Sequence, residues 1–166
     1  GEVIGSVLDV GCGTGDHVLF FAEEGHEAFG IDAAALAIGK AEGKAAGRGL
    51  PVQFLVRDAL DLSGLTRRFD TVIDSGLFHT LSDEDRPVFV DNLATVLAPG
   101  GNYFMLCFND QNPGEYPLPR RIAKSEIRNT FREGWSINYI RPAIFENSIQ
   151  VEGHYAWLAS MTRSGE

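Results

Sequence analysis

A chain of 166 residues with 44% apolar side chains suits one domain with a substantial core, since domains commonly run to about 100–200 residues. Its 14 Lys and Arg against 23 Asp and Glu give a net charge of −9, which opposes a phosphate backbone and excludes strong non-specific nucleic-acid binding. The two cysteines, Cys12 and Cys107, sit in apolar stretches and form no disulfide framework. No apolar run approaches the ~18 residues that a membrane helix needs, and no basic-then-apolar leader opens the chain, so a cytoplasmic protein with buried thiols is expected.

Ser6-Val7-Leu8-Asp9-Val10-Gly11 is a short apolar run ending in glycine, as a buried parallel strand would. Val18-Leu19-Phe20-Phe21-Ala22 predicts a helix closed at Gly25, and residues 27–32 a second strand ending in an acid. An alanine-rich helix is expected over 33–46, a third strand over 52–56 leading to Asp58, and a fourth over 69–74. Ser82 then caps a helix with an acidic first turn, whose apolar positions Val88, Phe89, Leu93, Val96 and Leu97 recur at helical spacing. Pro99-Gly100-Gly101 is expected to stop it.

A fifth strand over 102–108, a Pro-rich loop to Arg121 with Tyr116, and a helix over 124–133 capped by Ser125 follow. Two long strand-like runs, 135–146 and 151–163, joined through Asn147-Ser148, predict an antiparallel pair. Strands alternating with helices describe an α/β sheet with helices on both faces.

The glycine loop after the first strand carries the functional signal. Glycines there let a ligand approach the backbone closely, beyond the carboxyl ends of the strands. A dinucleotide fingerprint needs a further glycine where this chain has Asp16, whose charge opposes a diphosphate. A G-x-G-x-G turn preceded by Asp9 suits a cationic ligand without phosphates.

Val7-Leu8-Asp9-Val10-Gly11-Cys12-Gly13-Thr14-Gly15 resembles the first motif of class I S-adenosylmethionine (SAM)-dependent methyltransferases. Asp32 matches that family's ribose-binding acid and Asp58-Ala59 its adenine-recognition pair. Phe69-Asp70-Thr71-Val72-Ile73-Asp74 and Leu97-Ala98-Pro99-Gly100-Gly101 match its later landmarks, in order along nearly the whole chain. The resemblance implies a Rossmann-like sheet of seven strands ordered 3-2-1-4-5-7-6, with the seventh antiparallel. It implies SAM as cofactor, S-adenosylhomocysteine as product, and cofactor contacts from Asp9, Gly11, Cys12, Gly13, Gly15, His17, Asp32, Ala33, Asp58, Ala59 and Ser75.

The stretch Asp74-Ser75-Gly76-Leu77-Phe78-His79-Thr80-Leu81 and the early Asp16-His17 are similar to small-molecule enzymes of the thiopurine and tellurite-resistance branches and to methyltransferases of heterocyclic toxins. Transfer to O, N or S of a small aromatic or heterocyclic acceptor is therefore expected, with no nucleic-acid or membrane partner. The alternative is a catalytically inactive module that binds SAM or S-adenosylhomocysteine. His79 is the candidate general base, needed only where the acceptor must lose a proton. Its competing role is to cap a loop or orient Asp74.

Phe78 and Tyr116 are candidates to stack on a flat acceptor. The four histidines are scattered, so no metal site is expected. Enzymes of this family carry one or two helices before the first strand. Here that strand begins by Ser6, so the single domain, residues 1–166, is expected to lack them and to be open on its acceptor side.

Overall fold

The computed structural model describes residues 1–113, 119–146 and 153–165. The strands are β1 (Val7–Val10), β2 (Ala28–Asp32), β3 (Gln53–Val56), β4 (Phe69–Ser75), β5 (Leu97–Phe108), β6 (Trp135–Phe145) and β7 (His154–Arg163). The helices are α1 (Asp16–Glu23), α2 (Ala35–Arg48), α3 (Asp85–Val96) and α4 (Lys124–Thr130), with a 3-10 turn at Phe78–Thr80. The strands form one seven-stranded sheet in the order β3-β2-β1-β4-β5-β7-β6, as the sequence predicts. β1 to β5 pair in parallel, and β7 runs antiparallel to both of its neighbours.

Two apolar clusters lie on opposite faces of this sheet. On one, Val18 and Leu19 of α1 and Ile38, Ala41 and Ala45 of α2 meet Ala28 and Phe54. On the other, Phe89, Val90, Leu93 and Val96 of α3 and Ile127 of α4 pack on Leu8, Val10, Val72, Tyr103 and Met105. Leu8 and Val10 face one side and Val7 and Asp9 the other, yet all four are buried, which is why β1 reads as a continuous apolar run. The reversal of strand order between β1 and β4 opens a crevice at their carboxyl ends, where such sheets bind ligands.

The structure moves three local boundaries. Pro99-Gly100-Gly101 lies inside β5, because Leu97 already pairs with Phe69 across an irregularity in the β4–β5 ladder. Ser125 lies within α4 and does not cap it. The first turn is held instead by the Glu126 carboxylate, which accepts the Ala123 N–H at 2.7 Å, and the helix ends at Thr130. Ser82 does act at the start of α3, its hydroxyl oxygen accepting the Asp85 N–H at 3.1 Å. β6 is an edge strand and so tolerates Pro142. The Asn147-Ser148 connection and Tyr116 lie outside the described residues. Among the described residues no helix is long and apolar enough to cross a membrane.

Candidate cofactor and acceptor site

Residues 11–15 leave β1 and turn into α1 at its carboxyl end. Gly15 takes φ +82°, and a Cβ there would lie 2.7 Å from Phe54 and 2.8 Å from Ala41, so glycine is required for the turn and for α1 to pack. Gly13, by contrast, faces open space, with nothing within 4 Å of where a Cβ would lie. Cys12 directs its side chain away from that space, towards Gly30. Burial pushes its thiol up to about 12, so it is a packed thiol and no nucleophile.

Asp32 ends β2 and is bound to the loop through both oxygens. Oδ2 accepts the Gly13 N–H at 2.9 Å and Oδ1 the Ala34 N–H at 2.8 Å. Each oxygen keeps a further acceptor site, the pairing that two vicinal hydroxyls need. Asp58 follows β3 in the same way. Its Oδ1 accepts the Leu60 N–H at 2.9 Å, its side chain is exposed, and Ala59 beside it is buried. Ala33 is exposed at the end of β2.

Asp9 is the unusual member. It is 1% exposed, and its Oδ2 has no hydrogen-bond partner among the described residues. The nearest cation is His17 of α1, whose Nδ1 lies 3.7 Å away, a charge contact too long for a hydrogen bond. Burial raises the Asp9 pKa and His17 partly offsets that, while the Asp9 carboxylate raises the pKa of His17. A buried carboxylate left incomplete beside a glycine turn fits a ligand that brings its own cation.

His17 and Ser75 also line a cavity of about 330 Å³ with Phe104, Leu106 and Leu158. Strand register explains this lining. Asp9 lies opposite Ile73, Ile73 opposite Phe104, Ser75 opposite Leu106, and Leu106 opposite Leu158, so these side chains share one sheet face. The cavity floor is apolar and half-buried. Beyond the cavity, the alternation of β5 puts Phe108 on the same sheet face as Phe104 and Leu106, and its ring lies 5.2 Å from Phe145 and 4.6 Å from the His154 ring.

Asp74 points the other way, into the core. It accepts the Leu77 N–H at 2.7 Å, the Phe78 N–H at 3.0 Å and the Tyr103 hydroxyl at 2.9 Å. Burial pushes its carboxyl up to about 7 even against these donors. Asp74 is thus the anchor of the 3-10 turn that presents His79. Phe78 cannot stack on an acceptor, because it is fully buried, with Phe131 6.1 Å from its ring and the Arg86 guanidinium 5.1 Å above it. His79 is 5% exposed, and burial lowers its pKa to about 4. Its Nδ1 accepts the Phe108 N–H at 2.9 Å.

The cavity residues Phe104 and Leu106, the neighbouring aromatics Phe108 and Phe145, and Tyr103, which donates to Asp74, are not singled out by the sequence. The alternation in β5, with Tyr103, Met105 and Cys107 buried and Phe104, Leu106 and Phe108 half-buried, was the available signal.

Comparison with known proteins agrees with this geometry. Residues 7–101 match the family model described as methyltransferase domain. The chain belongs to the class I SAM-dependent methyltransferase family. A 2-heptyl-1-hydroxyquinolin-4(1H)-one methyltransferase of Mycobacteroides abscessus is 41% identical over 145 residues, which are 86% of this chain and 64% of that protein. The chain thus spans less than two thirds of this relative's length. A structure solved in work on the conversion of a disulfide bond into a thioacetal group during echinomycin biosynthesis superposes with a TM-score of 0.87 at 34% identity, covering 98% of this chain and 77% of that one. The 1,6-didemethyltoxoflavin-N1-methyltransferase of Burkholderia thailandensis shares the fold, with a TM-score of 0.77 at 20% identity over 96% of this chain and 71% of that one.

Proposed function

We propose that this domain catalyses SAM-dependent methylation of a small, flat heteroaromatic acceptor, with a ring hydroxyl oxygen as the preferred nucleophile. The observation that carries this reading is the apolar cavity lined by Ile73, Phe104, Leu106 and Leu158, on the sheet face where Ile73 lies opposite Asp9, whose Oδ2 has no partner among the described residues. It offers a flat ring a surface to lie on and presents no row of cations for a phosphate backbone. The quinolone acceptor in the name of the Mycobacteroides relative and the toxoflavin precursor of the Burkholderia enzyme are both of this flat, heterocyclic kind.

In this reading Asp9 receives the ammonium of the cofactor, Asp32 its ribose hydroxyls and Asp58 its adenine amine. Gly13 leaves the backbone open to it, Gly11 takes φ +72° with Leu77 3.2 Å from where a Cβ would lie, and His17 and Ser75 flank its methionine end. When bound, SAM supplies an electrophilic methyl: the acceptor's lone pair forms the new bond to carbon, and sulfur keeps the electrons of the bond that breaks. The chain's own contribution is to hold the acceptor oxygen in line and to exclude water, which is where most of the rate gain in such displacements arises.

Incubation with SAM and a panel of hydroxyquinolones, hydroquinones, thiols and heteroaromatic amines, followed by mass spectrometry, tests the proposal. O-methylated hydroxyquinolone as the main product is expected. S-adenosylhomocysteine binding with no acceptor methylated would instead favour the inactive binding module.

A further inference from the structure

His79, the candidate base, accepts a hydrogen bond at Nδ1 and is buried, which sets which nitrogen can act. A backbone N–H donates to Nδ1, so Nδ1 holds a lone pair and the neutral imidazole carries its proton on Nε2. Nε2 has no hydrogen-bond partner among the described residues, although the side chain is buried. It points towards Gly76, where a Cβ would come within 3.5 Å of Nε2 and 3.1 Å of the Phe145 ring. The imidazole also packs 4.7 Å from the Phe108 ring and 5.8 Å from the Phe145 ring. The result is an N–H without a partner among the described residues, at the edge of an aromatic face and at the carboxyl end of β4.

We propose that His79 positions the acceptor as a hydrogen-bond donor, its Nε2–H receiving an already ionised ring oxygen while Phe108, Phe145 and His154 hold the ring plane. This rests on the small-molecule methyl-transfer reading and specifies its substrate class as acidic hydroxy-heteroaromatics. Burial accounts for the low basicity of His79. Among the described residues, the groups packed around it supply no carboxylate to reverse that: the rings of Phe108 and Phe145 flank it, the His154 ring packs on Phe108, Asp74 is turned towards Tyr103, and Arg120 gives a backbone N–H to the His79 carbonyl. With the Nδ1 lone pair occupied and Nε2 protonated, no nitrogen is free to take a proton. The hydroxyl proton therefore goes to solvent before the acceptor binds, and the oxygen lone pair is free to form the new bond. An ordinary phenol, with a pKa near ~10, arrives protonated at neutral pH and is a poor acceptor.

The test uses 4-nitro-1-naphthol, a flat acidic hydroxyarene whose ionised form has its own absorption band, added to the protein loaded with S-adenosylhomocysteine. Its apparent pKa should fall on binding. His79→Phe should lose about ten- to a hundred-fold in affinity for the ionised form, the worth of one hydrogen bond to a charge. His79→Gln keeps an N–H donor but has no basic nitrogen, so methylation of the naphthol should fall by no more than about tenfold. A general base would instead lose ~10²–10⁴.

Nitrogen-15 spectra of the imidazole give an independent reading of the wild type, with Nε2–H and a bare Nδ1 expected throughout the neutral range. An imidazole that carries its proton on Nδ1 or titrates near neutrality, with the naphthol bound in its neutral form, overturns the proposal. Methylation of the neutral form would do so while leaving the methyl-transfer reading intact. Binding of the ionised form without any methylation would support the donor role and defeat that reading instead.

Discussion

Replacing Asp9 by asparagine separates what the site needs from what the fold needs. The side chain keeps its shape and loses its charge, in a position that is 1% exposed with one oxygen unpaired. Leaving such a group unsatisfied costs about 1–3 kcal/mol, and more when it is charged. Asp9→Asn should therefore stabilise the cofactor-free protein by roughly 1–3 kcal/mol at neutral pH, at about 2–4 °C of melting temperature per kcal/mol for a chain of this size. Burial raises the folded pKa of Asp9, so its contribution to wild-type stability is fully present below the unfolded value and is lost as pH rises through the folded one.

The pKa of His17 is also raised, so its contribution, too, is lost as pH rises through its folded value. The advantage of Asp9→Asn should therefore be small in acid and full at neutral pH. Binding should move oppositely. In the proposed cofactor pose, losing the carboxylate removes a charge-assisted hydrogen bond to the ligand ammonium worth about 1.5–3 kcal/mol, or roughly ten- to a hundred-fold in affinity. Thermal melts across pH and calorimetric titration with S-adenosylhomocysteine read both effects. A folded variant that melts with the wild type at neutral pH and binds as tightly would refute the reasoning.

Asp32→Ala should weaken S-adenosylhomocysteine binding by about ten- to a hundred-fold, since it removes the proposed ribose acceptor and frees the Gly13 N–H that Asp32 holds at 2.9 Å; calorimetry on the folded variant checks it. Asp58→Ala should lose less, because that side chain is exposed; a loss exceeding that of Asp32→Ala reverses the ranking. Asp74→Ala strands the Leu77 and Phe78 N–H groups and the Tyr103 hydroxyl and should cost about 2–4 kcal/mol in denaturant unfolding, whereas Tyr103→Phe should cost about 1 kcal/mol. The folded Asp74 carboxyl is raised to about 7, so its contribution should be present in acid and be lost as pH rises through that value, a slope absent from Asp74→Asn.

Much of this protein was readable along the chain because the signals are local. A parallel strand buried on both faces has to be an apolar run, as in Val7-Leu8-Asp9-Val10, and a tight turn against a helix has to carry glycine, as at Gly15. With the spacing of Asp32 and Asp58, these determine the order of elements and the cofactor loop, and the sheet order follows by family resemblance.

Pairing across the sheet was not readable in this way. Only the register of β4, β5 and β7 places Asp9, Ile73, Phe104, Leu106 and Leu158 on one face, and only three-dimensional packing buries Phe78 while half-exposing Phe108. Asp16, read in sequence as a charge facing the ligand, pairs with Lys44 of α2 at 2.7 Å. His79 shows the limit most plainly. Its residue type and place after β4 point to a base, but its protonation depends on burial and on a backbone N–H donated by Phe108 of the neighbouring strand. Desolvation and long-range hydrogen bonds are properties of the packed molecule, and they decide which nitrogen holds the proton.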